Sequence, residues 1–180
     1  TPYVADNYLL IDSATRRNLE ITETLREKQK RGSLLWVLDK TTTAMGSRKM
    51  KHWIENPLLD KNVIEDRLNA VEILKNDLFN RKELVSMLSE VRDAQRLSTK
   101  MVNAGVNARD MIALKNSFRV LPRIREIFSE VINLSDLKDK KYVTRLRDSI
   151  DELQDVYSLI DASISEEPPI LITEGGIIKP

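Results

Sequence analysis

Few residues in this chain have the type and spacing that a catalytic or metal site requires. His52 is the only histidine among 180 residues, and there is no cysteine. A single imidazole without thiolates cannot build a metal cluster, and acid–base catalysis needs a partner group in a pocket. The carboxylates are scattered at the spacing of solvent-facing helix positions, which gives paired-carboxylate hydrolysis no support. We therefore predict no catalytic, cofactor-binding or metal-binding residue in this chain.

Phosphate-binding loops are also missing from the sequence. It contains neither Gly-x-x-x-x-Gly-Lys-Ser/Thr nor a strand followed by Gly-x-Gly-x-x-Gly, and no helix start follows Gly175-Gly176. Residues 41–48, Thr-Thr-Thr-Ala-Met-Gly-Ser-Arg, are the one candidate for an anion cradle, because a helix N-terminus offers free N–H groups. We favour the simpler interpretation, in which threonines cap the helix and Gly46 allows close packing.

A basic run at residues 26–31 and two tryptophans are the features that could touch nucleic acid. The run has no interleaved aromatic residue and is typical of a solvated loop; a phosphate-contacting patch is the alternative. Trp36 and Trp53 lie within apolar faces, which favours a place in the core. With 29 basic and 28 acidic residues, the net charge of +1 lacks the basic excess of most DNA-gripping modules.

The elements that position these residues are predicted to be mainly α-helices. Charged residues make up 32% of the chain, only five residues are glycine, and most segments place apolar residues at helical spacing. We predict an all-α fold of long packed helices in a single domain, with a small β element formed by the chain ends. The expected segments are a strand plus short helices at 1–59, a helical bundle at 60–135, one long helix at 136–165 and a β-hairpin at 168–180.

Side chains that can accept a hydrogen bond from a free N–H group predict where helices begin. Pro57 ends a helix, Pro122 kinks another, and the apolar run Leu34–Leu38 predicts a buried segment. Because an isolated hairpin is marginally stable, we expect residues 170–178 to join residues 9–11 in one sheet. The predicted helix caps are Asp12 or Ser13, Thr42 or Thr43, Asp60, Asn80 with Glu83 in a capping box, and Asn107.

Two stretches, residues 10–21 and 38–58, resemble the opening of the core domain of MutS DNA mismatch-repair proteins, and of the bacterial type in particular. A looser likeness extends through residues 170–178, so the resemblance covers nearly the whole chain. The residues that carry it are Asp12, Arg16, Arg17, Asn18, Glu20, Asp39, Gly46, Arg48, Trp53, Pro57 and Arg67.

The resemblance implies that this chain is a fragment of domain III, the core or lever domain. It implies an intact protein that binds mismatched double-stranded DNA, hydrolyses ATP with magnesium, and works in the cytoplasm near the nucleoid. Its expected partners are a second MutS subunit and a MutL-type protein. Nothing here matches the family's mismatch-reading domain, clamp or ATPase. We expect no enzyme activity and no cofactor in this fragment, which would couple the ATPase state to the DNA clamp.

The charged residues of the first stretch have a predicted structural role. We expect Asp12, Arg16, Arg17 and Glu20 to form hydrogen-bonded pairs that fix a strand–helix junction; contacts from the arginines to DNA phosphates are the alternative. Two other functions remain open from the sequence. One is a free-standing helical adaptor that binds partner proteins, and the other is a weak single-strand nucleic-acid binder that uses residues 26–31.

Overall fold

A computed structural model of the chain describes residues 8–103, 105–169 and 172–179. These residues form ten α-helices and no strand, so the predicted mainly helical class is confirmed. The helices are α1 Ser13–Asn18, α2 Leu34–Leu38, α3 Ala44–Glu55, α4 Lys61–Asn76, α5 Leu78–Glu90, α6 Ala94–Val102, α7 Ala108–Arg119, α8 Leu121–Leu134, α9 Lys141–Asp148 and α10 Gln154–Ser163. None of the helices in these ranges is long and apolar enough to cross a membrane.

The chain divides into two compact units. The first unit is Thr1–Asn69 and the second is Ala70–Pro180, with the boundary inside α4. In the first unit, Ile21 and Leu35 are the buried apolar residues among those described. The prediction that Leu34–Leu38 is buried was therefore wrong except at Leu35. A five-residue helix can turn only part of its surface inward.

The second unit has a continuous apolar core. Three helix pairs pack against one another, α5 with α8, α8 with α9, and α7 with α10. Ile127 lies at the centre of the core and is fully buried. The buried core residues are Ala70, Ile73, Leu84, Val120, Ile124, Ile127, Val131 and Val143.

Local capping explains most helix starts. Asp12, Thr43 and Asn107 accept hydrogen bonds from N–H groups in the first turns of α1, α3 and α7, as predicted, and Asn107 forms a capping box with Asp110. The cap of α5 is Asp77 rather than Asn80. The Asp77 carboxylate accepts both the backbone N–H and the side-chain amide of Asn80, which lies inside the first turn.

Two predicted continuous helices are interrupted. The helix predicted at 136–165 is α9 and α10, separated by residues 149–153. Leu153 is in the left-handed region, with φ of 51°, and its N–H donates to Asp151 Oδ1 at 3.0 Å. That local bond competes with the helical one, although the apolar spacing continues across the break. The kink predicted at Pro122 is a helix boundary, because the proline lies in the first turn of α8 and needs no N–H partner there.

The β element predicted from the chain ends is not found among the described residues, and part of the predicted hairpin (170–171) lies outside them. Residues 172–174 form a 3-10 turn. Ile178 pairs antiparallel with Ile164, while Tyr8 forms a separate bridge with Leu58. The N–H of Ser165 donates to Ile177 O, and that of Lys179 to Ser163 O, both at 2.9 Å. The last residues thus satisfy their backbone groups against the end of α10.

Candidate functional site

Arg16 joins the first signature stretch to the end of α3. Its Nη1 lies 3.7 Å from Glu55 Oε1, and its Nη2 donates to the carbonyls of Ile11 and Glu55 at 3.5 and 3.4 Å. The acidic partner is therefore Glu55, and neither Asp12 nor Glu20, which we had paired with the arginines. These bonds join α1 and the segment before it to the last turn of α3. This geometry fits a structural role for Arg16.

Asp12 and Glu20, the acidic residues of this stretch, accept hydrogen bonds from backbone N–H groups close to them in sequence. Asp12 Oδ1 accepts from Thr15 N at 2.7 Å, and this bond holds the pKa of Asp12 below its usual range. Glu20 has a φ of 49° and its Oε1 accepts from Leu25 N at 2.7 Å, which fixes the turn after α1. Asn18 is the last residue of α1.

Arg17 does not form the predicted pair. It is exposed and has no side-chain hydrogen bond or ion pair to the part of the chain that the structure describes. Together with Arg16, Ser13 and Thr22 it lines a shallow depression of about 450 Å³. Phosphate contact by Arg17 remains an untested prediction.

Asp39 is the centre of a hydrogen-bonded cluster, the Asp39 hub, made of Asp39, Lys30, Thr41 and Ser47. Its Oδ2 accepts from Lys30 Nζ at 2.5 Å and Ser47 Oγ at 2.6 Å. Its Oδ1 accepts from the hydroxyl of Thr41 at 2.6 Å and from the N–H of that residue at 3.3 Å. The side chain is only 6% exposed. The bond from Lys30, followed by those from Ser47 and Thr41, holds the pKa of Asp39 far below its usual range.

The hub explains why residues 41–48 form no open anion cradle. The donors of Thr41 and Ser47 already bind the Asp39 carboxylate, and Thr43 Oγ1 accepts from Gly46 N at 2.9 Å. A Cβ at Gly46 would lie 2.9 Å from Thr43 Oγ1 and 3.2 Å from Thr41 Cβ, so glycine makes room for the capping threonines. Arg48 lies on the exposed side of α3.

Trp53 and Arg67 join α3 to α4. The guanidinium of Arg67 lies over the indole, 3.9 Å from its centroid. Pro57, just past α3, accepts a hydrogen bond from Leu9 N at 2.7 Å through its carbonyl. His52 lies edge-on to Tyr8, and its Nδ1 lies 3.1 Å from the side-chain amide of Asn56.

Charged bonds between helices in the second unit were missed by the sequence analysis. Arg123 of α8 binds Glu83 of α5 through two bonds, Nε to Oε1 at 2.7 Å and Nη2 to Oε2 at 3.0 Å. The paired arginine lowers the pKa of Glu83. Lys115 of α7, with a side chain 9% exposed, donates to Asp161 Oδ1 of α10 at 2.9 Å. That bond lowers the pKa of Asp161.

The C-terminal residues contact both α7 and α10. Lys179 Nζ lies 3.9 Å from Asp161 Oδ1, and Arg109 Nε of α7 donates to Pro168 O at 3.0 Å. The sequence did offer a signal for the Lys115–Asp161 bond. Lys115 shares the buried side of α7 with Ala108 and Leu114, so it is a basic residue on an apolar face. Such a residue is buried only with a partner.

The described residues contain no group of three or more His, Asp or Glu side chains that could hold a metal ion. Their clustered polar side chains bind one another and fix turns, caps and helix pairs. The geometry therefore defines a helical domain in which several signature residues, among them Arg16, Asp39 and the Trp53–Arg67 pair, join its elements.

This domain belongs to the MutS domain III family. The family model described as MutS domain III matches residues 14–180, which confirms the resemblance noted in the sequence. The finding favours a fragment of a mismatch-repair protein over a free-standing adaptor.

Relatives named DNA mismatch repair protein MutS align with almost the whole chain. The one from Clostridium novyi is 49% identical and that from Ruminiclostridium cellulolyticum 47% identical, each over 98% of this chain. The one from Lachnoclostridium phytofermentans is 46% identical over 99% of it. The match covers 19%, 20% and 18% of those proteins respectively, so the chain spans about a fifth of their length.

Proposed function

We propose that this chain is the transmission segment of a longer mismatch-repair protein, coupling the state of a distant ATPase to a clamp on DNA. The segment does no chemistry itself, and its second unit moves as one body. Helices that are packed together and joined by charged bonds resist relative displacement, and coupling between two distant sites requires an element that both sites can bias. The proposal rests on the family to which the chain belongs and on the way the second unit is tied together.

The set of charged bonds between helices is the observation that carries the proposal. Each bond links two elements at a point outside the apolar core, so a displacement of one helix pulls on its neighbour. Besides Arg123–Glu83 and Lys115–Asp161, Arg119 of α7 binds Glu90 of α5 at 3.0 Å. Arg125 of α8 binds Glu152, ahead of α10, at 2.9 Å. A single exposed pair adds little to stability, but several such bonds within one unit together oppose the sliding of the helices they join.

The properties of the longer protein are part of the same proposal. Its DNA would be mismatched and double-stranded, and its ATP and magnesium would be bound by segments other than this one. A second MutS subunit and a MutL-type repair protein would be its partners, in the cytoplasm at the nucleoid. The relatives named DNA mismatch repair protein MutS support the repair role.

Distance measurements in the full-length protein test the proposal. This chain has no cysteine, so Lys82→Cys on α5 and Ser158→Cys on α10, both exposed, can carry spin labels once other cysteines are replaced. A third label on bound DNA reports the position of the segment. We expect ATP to change the distance from residue 82 to the DNA, while the distance between residues 82 and 158 stays the same.

Two outcomes would refute the proposal. A constant label-to-DNA distance with and without ATP would mean that the segment does not move relative to DNA. A nucleotide-dependent change between residues 82 and 158 would mean that the second unit deforms instead of moving as one body. The doubly labelled protein without DNA is the control for effects of nucleotide on the labels themselves.

A further inference from the structure

The first unit buries little of its own apolar surface, and α2 shows this most clearly. Among the described residues of this unit, only Ile21 and Leu35 are buried apolar side chains. Two buried apolar side chains make a small core for the described part of a unit of this length. We call the exposed apolar side chains of α2 the α2 face; each is between 45% and 54% exposed, and they are Leu34, Trp36, Val37 and Leu38.

The surroundings of the α2 face are basic. Residues 24–40 contain five basic and two acidic side chains, a net charge of +3. Lys40 Nζ lies 5.9 Å from the centroid of the Trp36 ring, so one of these charges borders the face directly. Ser33 Oγ donates to Lys30 O at 2.7 Å, which ties the basic loop to the start of α2. A partner with carboxylates beside its apolar side chains would complement this surface.

We infer that the α2 face is a permanent docking surface for another segment of the same longer polypeptide, one with an apolar face and an acidic rim. The chain spans only about a fifth of its relatives, so most of the polypeptide lies outside it. An apolar face on a unit with so small a core is typical of an obligate interface, which resembles a domain core cut in half. The inference does not depend on the proposed coupling function.

Two other occupants fit the face less well. Nucleic acid without sequence preference is held by aromatic side chains on which successive bases stack, whereas Trp36 is the one aromatic member of the α2 face and Leu34, Val37 and Leu38 are aliphatic. A second copy of the chain would form a two-fold interface, in which the same patch meets itself. The basic rim of one copy would then lie against that of the other, and like charges at an interface oppose association.

Hydroxyl-radical footprinting of Trp36 tests the inference without any substitution. The oxidation rate of Trp36 is measured by peptide mass spectrometry in the 180-residue chain and in the full-length protein, with an added reporter peptide to normalise the radical dose. We expect the rate to fall about tenfold in the full-length protein, because the covered side chain reacts only on local opening. Equal rates in the two proteins would overturn the inference.

Two further arms separate the rival occupants. A fall in the Trp36 rate as the concentration of the 180-residue chain rises would assign the face to a second copy. A fall on adding DNA to that chain would assign it to nucleic acid, and either result would overturn the inference. In the full-length protein, Val37→Asp should raise the Trp36 rate toward that of the 180-residue chain, whereas Val102→Asp on exposed α6 should leave it unchanged.

Discussion

The guanidinium of Arg67 stacks on the indole of Trp53, with 3.9 Å between the guanidinium carbon and the ring centroid. Lys49 Nζ lies 5.8 Å from the same ring, so the indole has two cations beside it. The negative face of an aromatic ring attracts a cation, and the planar guanidinium adds a stacking contact. Two residues of the family signature, 14 positions apart, thus form one contact between α3 and α4.

We expect the Trp53–Arg67 pair to contribute a coupling energy of about 0.5–2 kcal/mol in a double-mutant cycle of Trp53→Leu and Arg67→Met. The free energy of unfolding is measured by chemical denaturation followed by circular dichroism. Arg67→Lys should lose much of the coupling because an ammonium cannot stack. If the two single losses add up to the loss in the double variant, the contact carries no energy of its own.

Gly46→Ala should lower the free energy of unfolding by about 1–2 kcal/mol, because the new Cβ would displace the Thr43 side chain from its capping bond. The distance of 2.9 Å from that Cβ to Thr43 Oγ1 leaves no room for a methyl group. Gly105→Ala is the matched control, since its Cβ would meet Lys100 Cγ at an ordinary 3.5 Å. Equal stability of the Gly46 variant and the wild type would show that the threonine caps can move at no cost.

Acid should remove the stabilisation that the Asp39 hub provides. The pKa of Asp39 in the folded protein is far below its ordinary value of 3.8, chiefly because Lys30 donates to it. The unfolded chain therefore takes up this proton first as the pH falls. The contribution of Asp39 is complete above about pH 5 and is lost progressively as the pH falls through 3.8 toward the folded-state pKa.

Asp39→Asn should consequently destabilise the protein near pH 7, and the difference from the wild type should shrink as the pH falls below about 4. Urea denaturation across this pH range measures it. Glu23→Gln is the control, because Glu23 is exposed and has no hydrogen bond or ion pair among the described residues. A difference that stays constant with pH would contradict the role given to the ionised carboxylate.

The core of the second unit should be sensitive at its centre and tolerant at its edge. Ile127→Ala removes a fully buried side chain and should cost about 2–5 kcal/mol through lost burial and a residual cavity. Leu134→Ala, on the same helix but 70% exposed, should change the free energy of unfolding by no more than about 0.5 kcal/mol. Similar losses for the two variants would place the core of this unit elsewhere.

The sequence predicted those features of the fold that depend on neighbours along the chain. Asp12, Thr43 and Asn107 cap helices because a side chain three residues from an N–H group reaches it whatever the rest of the chain does. The resemblance to MutS domain III could also be recognised from the sequence, and the family model confirms it. The role of Asp39 was not, because its donor Lys30 lies nine residues away in a loop whose path the sequence does not fix.

Features that depend on packing were predicted less well. On α4, Leu68 and Val71 stand at helical spacing, yet they are exposed and the buried residues are Ala70 and Ile73. The spacing gives the period of a helix but not which of two apolar faces the core selects. The break before α10 could not be predicted from the apolar spacing for a related reason. The N–H of Leu153 donates to the Asp151 carboxylate, and this local bond replaces a helical one although the spacing continues.

The most direct test of the coupling role breaks the bond between α7 and α10 in the full-length protein. Lys115→Met removes the ammonium that binds Asp161 while keeping the length of the buried side chain, and Lys82→Met, exposed on α5, is the control. The measurement is the change in DNA affinity that ATP causes. We predict that Lys115→Met reduces this change at least about threefold, leaving the rate of ATP hydrolysis without DNA unaltered, whereas Lys82→Met alters neither. An undiminished effect of ATP on DNA affinity in the Lys115→Met protein would contradict the account.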